Sequence, residues 1–167
     1  MMGALPPFAG TARLRAVLRQ DEPFLLRLYH SVRAPELLLL PWSEAEKRAF
    51  VADQFRLQQA HYRKNCPGAA YWIVEDMNGC AIGRLSLDRT GAEWRLIELA
   101  LLPEARSRGI GTQLIGWVQQ AARTADAEAV TLHVEVTNQS ACRLYRRLGF
   151  MEAPSQFATH RFLRWTG

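Results

Sequence analysis

The chain has 167 residues, 49% hydrophobic and 22% charged, a balance that excludes a disordered polymer and leaves room for one ordinary domain but not two. Its formal net charge is +5, and the excess divides evenly, +3 in residues 1–90 and +2 in residues 91–167, so no basic tail or block marks a nucleic-acid or membrane surface. The three cysteines, Cys66, Cys80 and Cys142, form neither a metal spacing nor a C-x-x-C pair; that odd count, with no basic and apolar leader in Met1–Gly10, gives the expectation of a reducing, cytoplasmic setting and no bound metal.

Thr11–Arg19 alternates as a strand, with Ala12, Leu14, Ala16 and Leu18 on one face. Asp21-Glu22-Pro23 opens a helix expected to end near Tyr29 or Val32. The aliphatic run Leu37–Leu40 stops at Pro41 and is far too short to span a bilayer. Ser43 with Glu46 is a capping box. It begins a second helix whose apolar stripe is Phe50, Val51, Phe55 and Leu57 or Gln58, ending before Pro67-Gly68. Ala70–Glu75 is aromatic and β-branched, and Asn78-Gly79 predicts a hairpin turn with positive φ at both central residues. Cys80–Leu87 is the return strand and Thr90-Gly91 the next turn. Glu93–Leu102 is almost continuously apolar after Arg95, which places it centrally in a sheet. From Gly109 the period becomes helical, with Ile110, Leu114, Val118, Ala121 and Ala125 on one face. Val130–Val136 is a strand, Ser140–Leu148 a helix stopping at Gly149, and His160–Trp165 a last strand. The order β-α-α-β-β-β-α-β-α-β reads as a single α/β domain over residues 1–167 with a mixed sheet.

Arg106-Ser107-Arg108-Gly109-Ile110-Gly111-Thr112 joins a strand to a helix. Two glycines there leave backbone N–H groups accessible, and the helix start adds unpaired donors and a positive dipole end. Such a junction suits a phosphate or pyrophosphate, with Arg106 and Arg108 at its rim. The P-loop reading fails because no lysine is present, and the dinucleotide fingerprint fails because Leu114 stands where its third glycine belongs. A tight strand-to-helix turn with no ligand is the competing reading.

The motif Arg106-x-x-Gly109-x-Gly111 resembles the acyl-CoA signature of the GNAT N-acetyltransferase superfamily, Arg/Gln-x-x-Gly-x-Gly/Ala. Glu98–Pro103 is similar to that family's fourth strand and exit proline. Asn138, Ala141, Tyr145 and Gly149-Phe150 resemble its second motif, in the right order and spacing. The resemblance covers roughly residues 93–152. It implies a mostly antiparallel mixed sheet flanked by helices, whose fourth and fifth strands splay around the pantetheine arm of acetyl-CoA. By resemblance, the backbone of Leu101 and Leu102 faces the acetyl and pantetheine groups. Arg106, Ser107, Arg108, Gly109, Ile110, Gly111 and Thr112 hold the pyrophosphate, and Asn138 and Ala141 contact pantetheine. Tyr145, also at the cofactor, is the implied general acid for the leaving thiolate; its place on the stripe Ala141, Leu144, Tyr145, Leu148 equally describes a core tyrosine. Asn138 is also a good helix N-cap.

An amine attacks only when uncharged, so a base is required. Glu98 is the candidate, directly or through water, with Glu93 and Glu75 as competing acids. His133 reads as a hydrogen-bonded core residue, Cys142 as structural, and Arg143, Arg146 and Arg147 as a solvated helix face or a 3′-phosphate contact. Tyr29, Trp42, Phe50, Phe55, Tyr62, Tyr71 and Trp72 line an acceptor pocket or fill the core. The expected activity is transfer of acetyl from acetyl-CoA directly to a primary amine of a small molecule or peptide. The alternative is a GNAT-like acyl-CoA sensor or scaffold without turnover. Neither nucleic acid nor membrane is an expected partner, and a homodimer is left open because relatives are often dimers.

Overall fold

The computed structural model describes residues 4–167, so Met1–Gly3 of the segment read for a leader lie outside the described residues. Among these, seven strands form one sheet: β1 (Arg13–Ala16), β2 (Ala70–Glu75), β3 (Ala81–Asp88), β4 (Glu93–Leu101), β5 (Ala129–Glu135), β6 (Met151–Ala153) and β7 (His160–Trp165). Their spatial order is β1-β2-β3-β4-β5-β7-β6, antiparallel throughout except for the central pair β4–β5. The helices are α1 (Glu22–Leu37), α2 (Glu44–Asn65), α3 (Ile110–Thr124) and α4 (Gln139–Arg147). No helix among the described residues is long and apolar enough to cross a membrane.

Strand alternation divides the core between the two sheet faces. Val74, Leu85 and Leu87 turn to one face with Leu114, Ile115 and Val118 of α3, all fully or almost fully buried. Each such side chain contributes roughly 1.5–3 kcal/mol of hydrophobic stabilisation. Ile73, Ala100 and Leu102 turn to the other face, where Phe24, Leu25 and Leu28 of α1 and Phe55 of α2 cover them.

Several expectations are corrected. The first strand is only Arg13–Ala16, because the Asp21 carboxylate accepts the Leu18 N–H at 2.7 Å and turns the chain out of the sheet, leaving Leu18 exposed. α1 runs past Val32 and through Pro35 to Leu37, whose burial anchors the last turn. In α2 the capping box forms as expected, with Ser43 and Glu46 bonded reciprocally. Its buried stripe is Val51 and Phe55, continued by half-buried Gln58, Gln59 and Tyr62; Leu57 faces solvent. In the hairpin only Gly79 has positive φ (83°), because the Asp76 carboxylate accepts the N–H groups of Asn78 and Cys80 and makes a longer loop. β6 was not anticipated: three residues before Pro154 are too few to show a period.

Two irregularities position the site. The β3–β4 register jumps from Leu87↔Leu96 to Ser86↔Glu98, so Ile97 is an extra, bulged residue. A bulge reverses the alternation beyond it and sharpens the local twist. Trp94 and Leu96 therefore face α3, while Ala100, with Glu98 two residues before it, turns to the α1/α2 face. The β4–β5 pairing stops at the same point: Glu93–Leu96 pairs with Ala129–Leu132, and nothing beyond pairs between these strands. β4 continues against β3 alone and β5 against β7 alone.

At the sheet edge, Arg15 ties β1 to the start of α1. Its guanidinium makes two 2.7 Å hydrogen bonds to Asp21 and one of 2.5 Å to Glu75. Those hydrogen bonds from Arg15 hold the buried Asp21 carboxyl below its ordinary 3.8. A lowered carboxylate pKa stabilises the fold above the unfolded value and loses that contribution as pH falls through the folded one. Asp21→Asn is expected to cost about 2 kcal/mol at pH 7. In urea unfolding measured as a function of pH, the gap between variant and wild type should close as the pH falls below the ordinary carboxyl value.

Candidate active site

The site lies where β4 and β5 part. Leu102 N–H bonds back to Ile82 of β3 at 2.8 Å, and its carbonyl accepts from Ala105 at 2.9 Å. Alternation then directs the backbone of Leu99 and Leu101 to the opposite side, toward β5, where no strand pairs with them. Leu101 is thus the strand-end residue whose amide faces the split, while both backbone groups of Leu102 are used within the chain. The Leu101 carbonyl takes a 2.9 Å hydrogen bond from Arg106 Nε, which folds the arginine back over the end of β4.

The glycine-rich junction follows. Ser107 (φ 59°) and Gly109 (φ 77°) both occupy the left-handed region, and Gly109 caps α3 without a side-chain acceptor. Left-handed residues alternating along a loop turn successive N–H groups inward, a backbone nest for an anion. The first helical hydrogen bond is Gln113 N–H to the Gly109 carbonyl at 3.0 Å, so the amides of Ile110, Gly111 and Thr112 precede the helical ladder. A Cβ at Gly109 would meet nothing within 4 Å, so its φ, not crowding, calls for glycine; at Gly111 a Cβ would touch Leu144 at 3.5 Å. Arg106 and Arg108 are exposed at the rim. Arg147 of α4 reaches the same junction, donating to Thr112 Oγ1 at 3.2 Å. The junction suits a pyrophosphate in chemistry and shape.

α4 supplies the other wall. Asn138 Oδ1 accepts the Ala141 N–H at 3.1 Å, a side-chain N-cap that leaves the amide NH₂ uncommitted. Tyr145 is 7% exposed and packs edge-on against Phe150, with ring centroids 5.5 Å apart. Its hydroxyl has no hydrogen-bond partner among the described residues. Burial, with a smaller contribution from Cys142, pushes the phenol up to about 12, so it stays protonated at any working pH. Cys142 is buried, its thiol near the Glu135 carbonyl at 3.8 Å. His133, expected in the core, is exposed, its ring against those of Phe157 and Phe162, because it alternates to the face of β5 opposite the buried Leu132 and Val134.

The opposite face of β4 carries a polar cluster that sequence reading missed. Arg84 of β3 is 3% exposed and lies between the rings of Tyr62 and Tyr71, each centroid 5.7 Å from its guanidinium. It donates to Gln59 at 3.3 Å and stands 3.3 Å from Glu98 Oε2. Ser86, directly opposite Glu98 in the register, is fully buried. Arg84 Nε, Ser86 Oγ and Glu98 Oε2 are all buried without a hydrogen-bond partner. Such atoms cost about 1–3 kcal/mol each, a cost proteins retain at working sites. Burial pushes the Glu98 carboxyl up from its ordinary value, and Arg84 opposes that shift. The competing acids are held elsewhere, Glu75 by Arg15 and Glu93 by Arg164 at 2.7 Å. The signal available in the sequence was Arg84-x-Ser86, two polar residues on one face of an otherwise apolar strand.

Further toward the surface stands Tyr29 of α1, its phenol raised by burial and by the charges of Glu98, Glu36 and Glu135, and lowered by Arg33. Arg33 lies 3.4 Å from Glu36 and 3.8 Å from Glu135, bridging α1 to the free end of β5. Three carboxylates, Glu36, Glu98 and Glu135, thus lie near Tyr29, two of them paired with Arg33 and one with Arg84.

Residues 33–150 match the family model described as "Acetyltransferase (GNAT) family". An aminoalkylphosphonate N-acetyltransferase of Salmonella typhimurium is 34% identical over 86 residues, 48% of this chain and 56% of that protein, so the match spans about half of its length. The N-acetyltransferase YjgM of Escherichia coli is 29% identical over 82% of this chain and 80% of its own. Among solved structures, the PaiA N-acetyltransferase of Thermoplasma acidophilum in complex with coenzyme A superposes with a TM-score of 0.71 at 15% identity, covering 95% of this chain and 100% of that one. The spermidine N-acetyltransferase of Vibrio cholerae in complex with CoA and spermine gives 0.63 at 21% identity, covering 92% and 93%. The split pair, the left-handed junction and the family match over residues 33–150 agree: the chain belongs to the GNAT acetyltransferase family.

Proposed function

We propose that the protein transfers an acetyl group from acetyl-CoA directly to a primary amine of a small molecule or peptide. One observation supports this reading: the split end of β4 has a left-handed, glycine-containing junction with unpaired helix-start amides on one side and the half-buried Glu98 carboxylate on the other. The names of its relatives point the same way, since they include acetyltransferases of aminoalkylphosphonates and of spermidine. The carboxylates Glu36, Glu98 and Glu135 around Tyr29 favour a cationic acceptor. Free thiols at Cys66, Cys80 and Cys142 support a reducing, cytoplasmic setting.

When bound, acetyl-CoA supplies a thioester open to attack at its carbonyl carbon. The backbone donors of Ser107–Thr112, with Arg106 and Arg108, bind the pyrophosphate. Leu101 and the Asn138 amide line the pantetheine path, and the Leu101 N–H meets oxygen as negative charge develops on it. Glu98 takes one proton from the acceptor's ammonium and returns it to solvent. Tyr145 donates a proton to the departing sulfur and regains one from the nitrogen that has become an amide. Ammonium and thioester thus give amide, thiol and one released proton, with no acyl-enzyme.

Three outcomes are expected. Saturating acetyl-CoA should raise the melting temperature, by about 2.7 kcal/mol of linkage at a hundredfold excess over Kd; no shift in a thermal scan would remove the cosubstrate claim. Tyr145→Phe should lower kcat by about 10²–10⁴-fold while calorimetry finds CoA binding intact, and an unchanged kcat would leave Tyr145 as packing alone. In kcat/KM against pH, activity should rise through an acid limb above the ordinary 4.5 of a glutamate as Glu98 loses its proton, and Glu98→Gln should abolish that limb.

A further inference from the structure

We propose that Arg84 is a positioning residue of the acceptor site: its guanidinium fixes the Glu98 carboxylate on the α1/α2 face and sets the charge state in which Glu98 receives the amine's proton. The inference rests on Glu98 being the base. A structural salt bridge alone accounts poorly for what surrounds Arg84. It is 3% exposed, yet its Nε has no partner, and its contact with Glu98 is an ion pair without hydrogen-bond geometry, so Glu98 Oε2 is left open as well. Ser86 Oγ, the third unpartnered atom, sits directly across the strand pair from Glu98. A side chain meant only to neutralise Glu98 would complete its hydrogen bonds. This one instead leaves a carboxylate oxygen without a donor, free to accept the proton.

The arginine is held from several directions. Gln59 of α2 accepts from it, the rings of Tyr62 of α2 and Tyr71 of β2 each lie 5.7 Å from its guanidinium carbon, and its backbone is central in β3. The groups facing Glu98 from the packed elements are Tyr29 of α1, Tyr62 of α2, Tyr71 of β2 and Arg84 of β3. Burial and Glu98 itself raise the three phenols, so they remain neutral. Arg84 is the one cation that acts directly on Glu98 among the described residues. During turnover the proton moves from the acceptor's nitrogen to a Glu98 oxygen. The Arg84–Glu98 pair passes from neutral to +1, and the loss of that proton to solvent restores it.

The test compares wild type, Glu98→Gln, Arg84→Met and Arg84→Lys in two measurements. The first is kcat/KM against pH. The second is the carboxyl resonance of Glu98 in protein labelled with ¹³C-glutamate, identified by its loss in Glu98→Gln. Arg84→Met should move both the acid limb and the resonance upward by about one pH unit or more, lower kcat at neutral pH, and leave CoA affinity unchanged. Arg84→Lys should bring both titrations back toward wild type. Should Arg84→Met not fold, Arg84→Gln, neutral and still able to bond Gln59, gives the same readout. An acid limb abolished by Glu98→Gln but unmoved by loss of the Arg84 charge overturns the inference and leaves Glu98 as base. A limb that survives Glu98→Gln overturns the base assignment and this inference with it.

Discussion

The structure turns on the parting of β4 and β5 after Leu96 and Leu132. Two parallel strands side by side in a sheet normally pair to their ends, since each unpaired buried N–H or C=O is costly. Here the pair gives way at the position where Ile97 bulges. The added twist of a bulge turns the end of β4 away from β5. What remains is a wedge with open backbone donors on its β4 side and β5 held only by β7 on the other. Because a parallel pair needs a crossover helix, α3 begins at this same end. Its uncapped first turn and positive dipole end therefore come to the wedge as a consequence of topology.

The same bulge gives β4 a second task. Upstream, Trp94 and Leu96 belong to the apolar core under α3. Downstream, the reversed alternation sends Glu98 to the α1/α2 side, among Arg84, Ser86 and the tyrosines. A buried ion pair seldom adds stability, because desolvation of both charges offsets their attraction. The fold sustains this one because the α3 face carries a large apolar core whose central side chains are wholly shielded. The larger apolar core lies under α3, and the polar cluster around Arg84 shares the other face with the smaller core of α1 and α2.

How much of this was legible in the sequence followed from how local each cause was. The capping box at Ser43, the α3 stripe from Ile110 to Ala121 and the Gly149 stop depend on residues within a turn or two of one another, and they formed as read, although Ala125 falls just past the helix and is exposed. The GNAT resemblance identified the strand-to-helix junction. Length and end points were less legible: α1 outlasts Pro35 to a buried Leu37, and β1 is cut short by the Asp21 carboxylate taking the Leu18 N–H, a side-chain contact that apolar alternation does not reveal. The Arg84 cluster was missed for a stronger reason. Its members come from α2, β2, β3 and β4, and only the sheet register brings Ser86 opposite Glu98. The expectation for Leu102, carried over by resemblance, shows the same limit, since a motif match does not say which side of a strand its N–H will face.

The two halves of the site have opposite electrostatic characters, and this bears on how one short strand end serves both reactants. The junction offers backbone N–H groups, Arg106, Arg108 and Arg147, a field suited to pyrophosphate. The region by α1 holds Glu36, Glu98 and Glu135 against Arg33 and Arg84, a balance of one excess negative charge. Each field repels the other's ligand, so neither reactant competes for the other's place. In the proposed reaction the two approach the end of β4 from different sides and meet at its open amides. In that reaction the protein itself carries no acyl group, and Cys142, beside the second motif, is buried against the end of β5 with its thiol directed at a backbone carbonyl. The net +5 of the chain therefore conceals a division of charge that matters more than its sum. In the proposed reaction the cationic junction takes the phosphorylated cosubstrate, the carboxylates by α1 receive the acceptor, and Arg84 sets the charge state of Glu98.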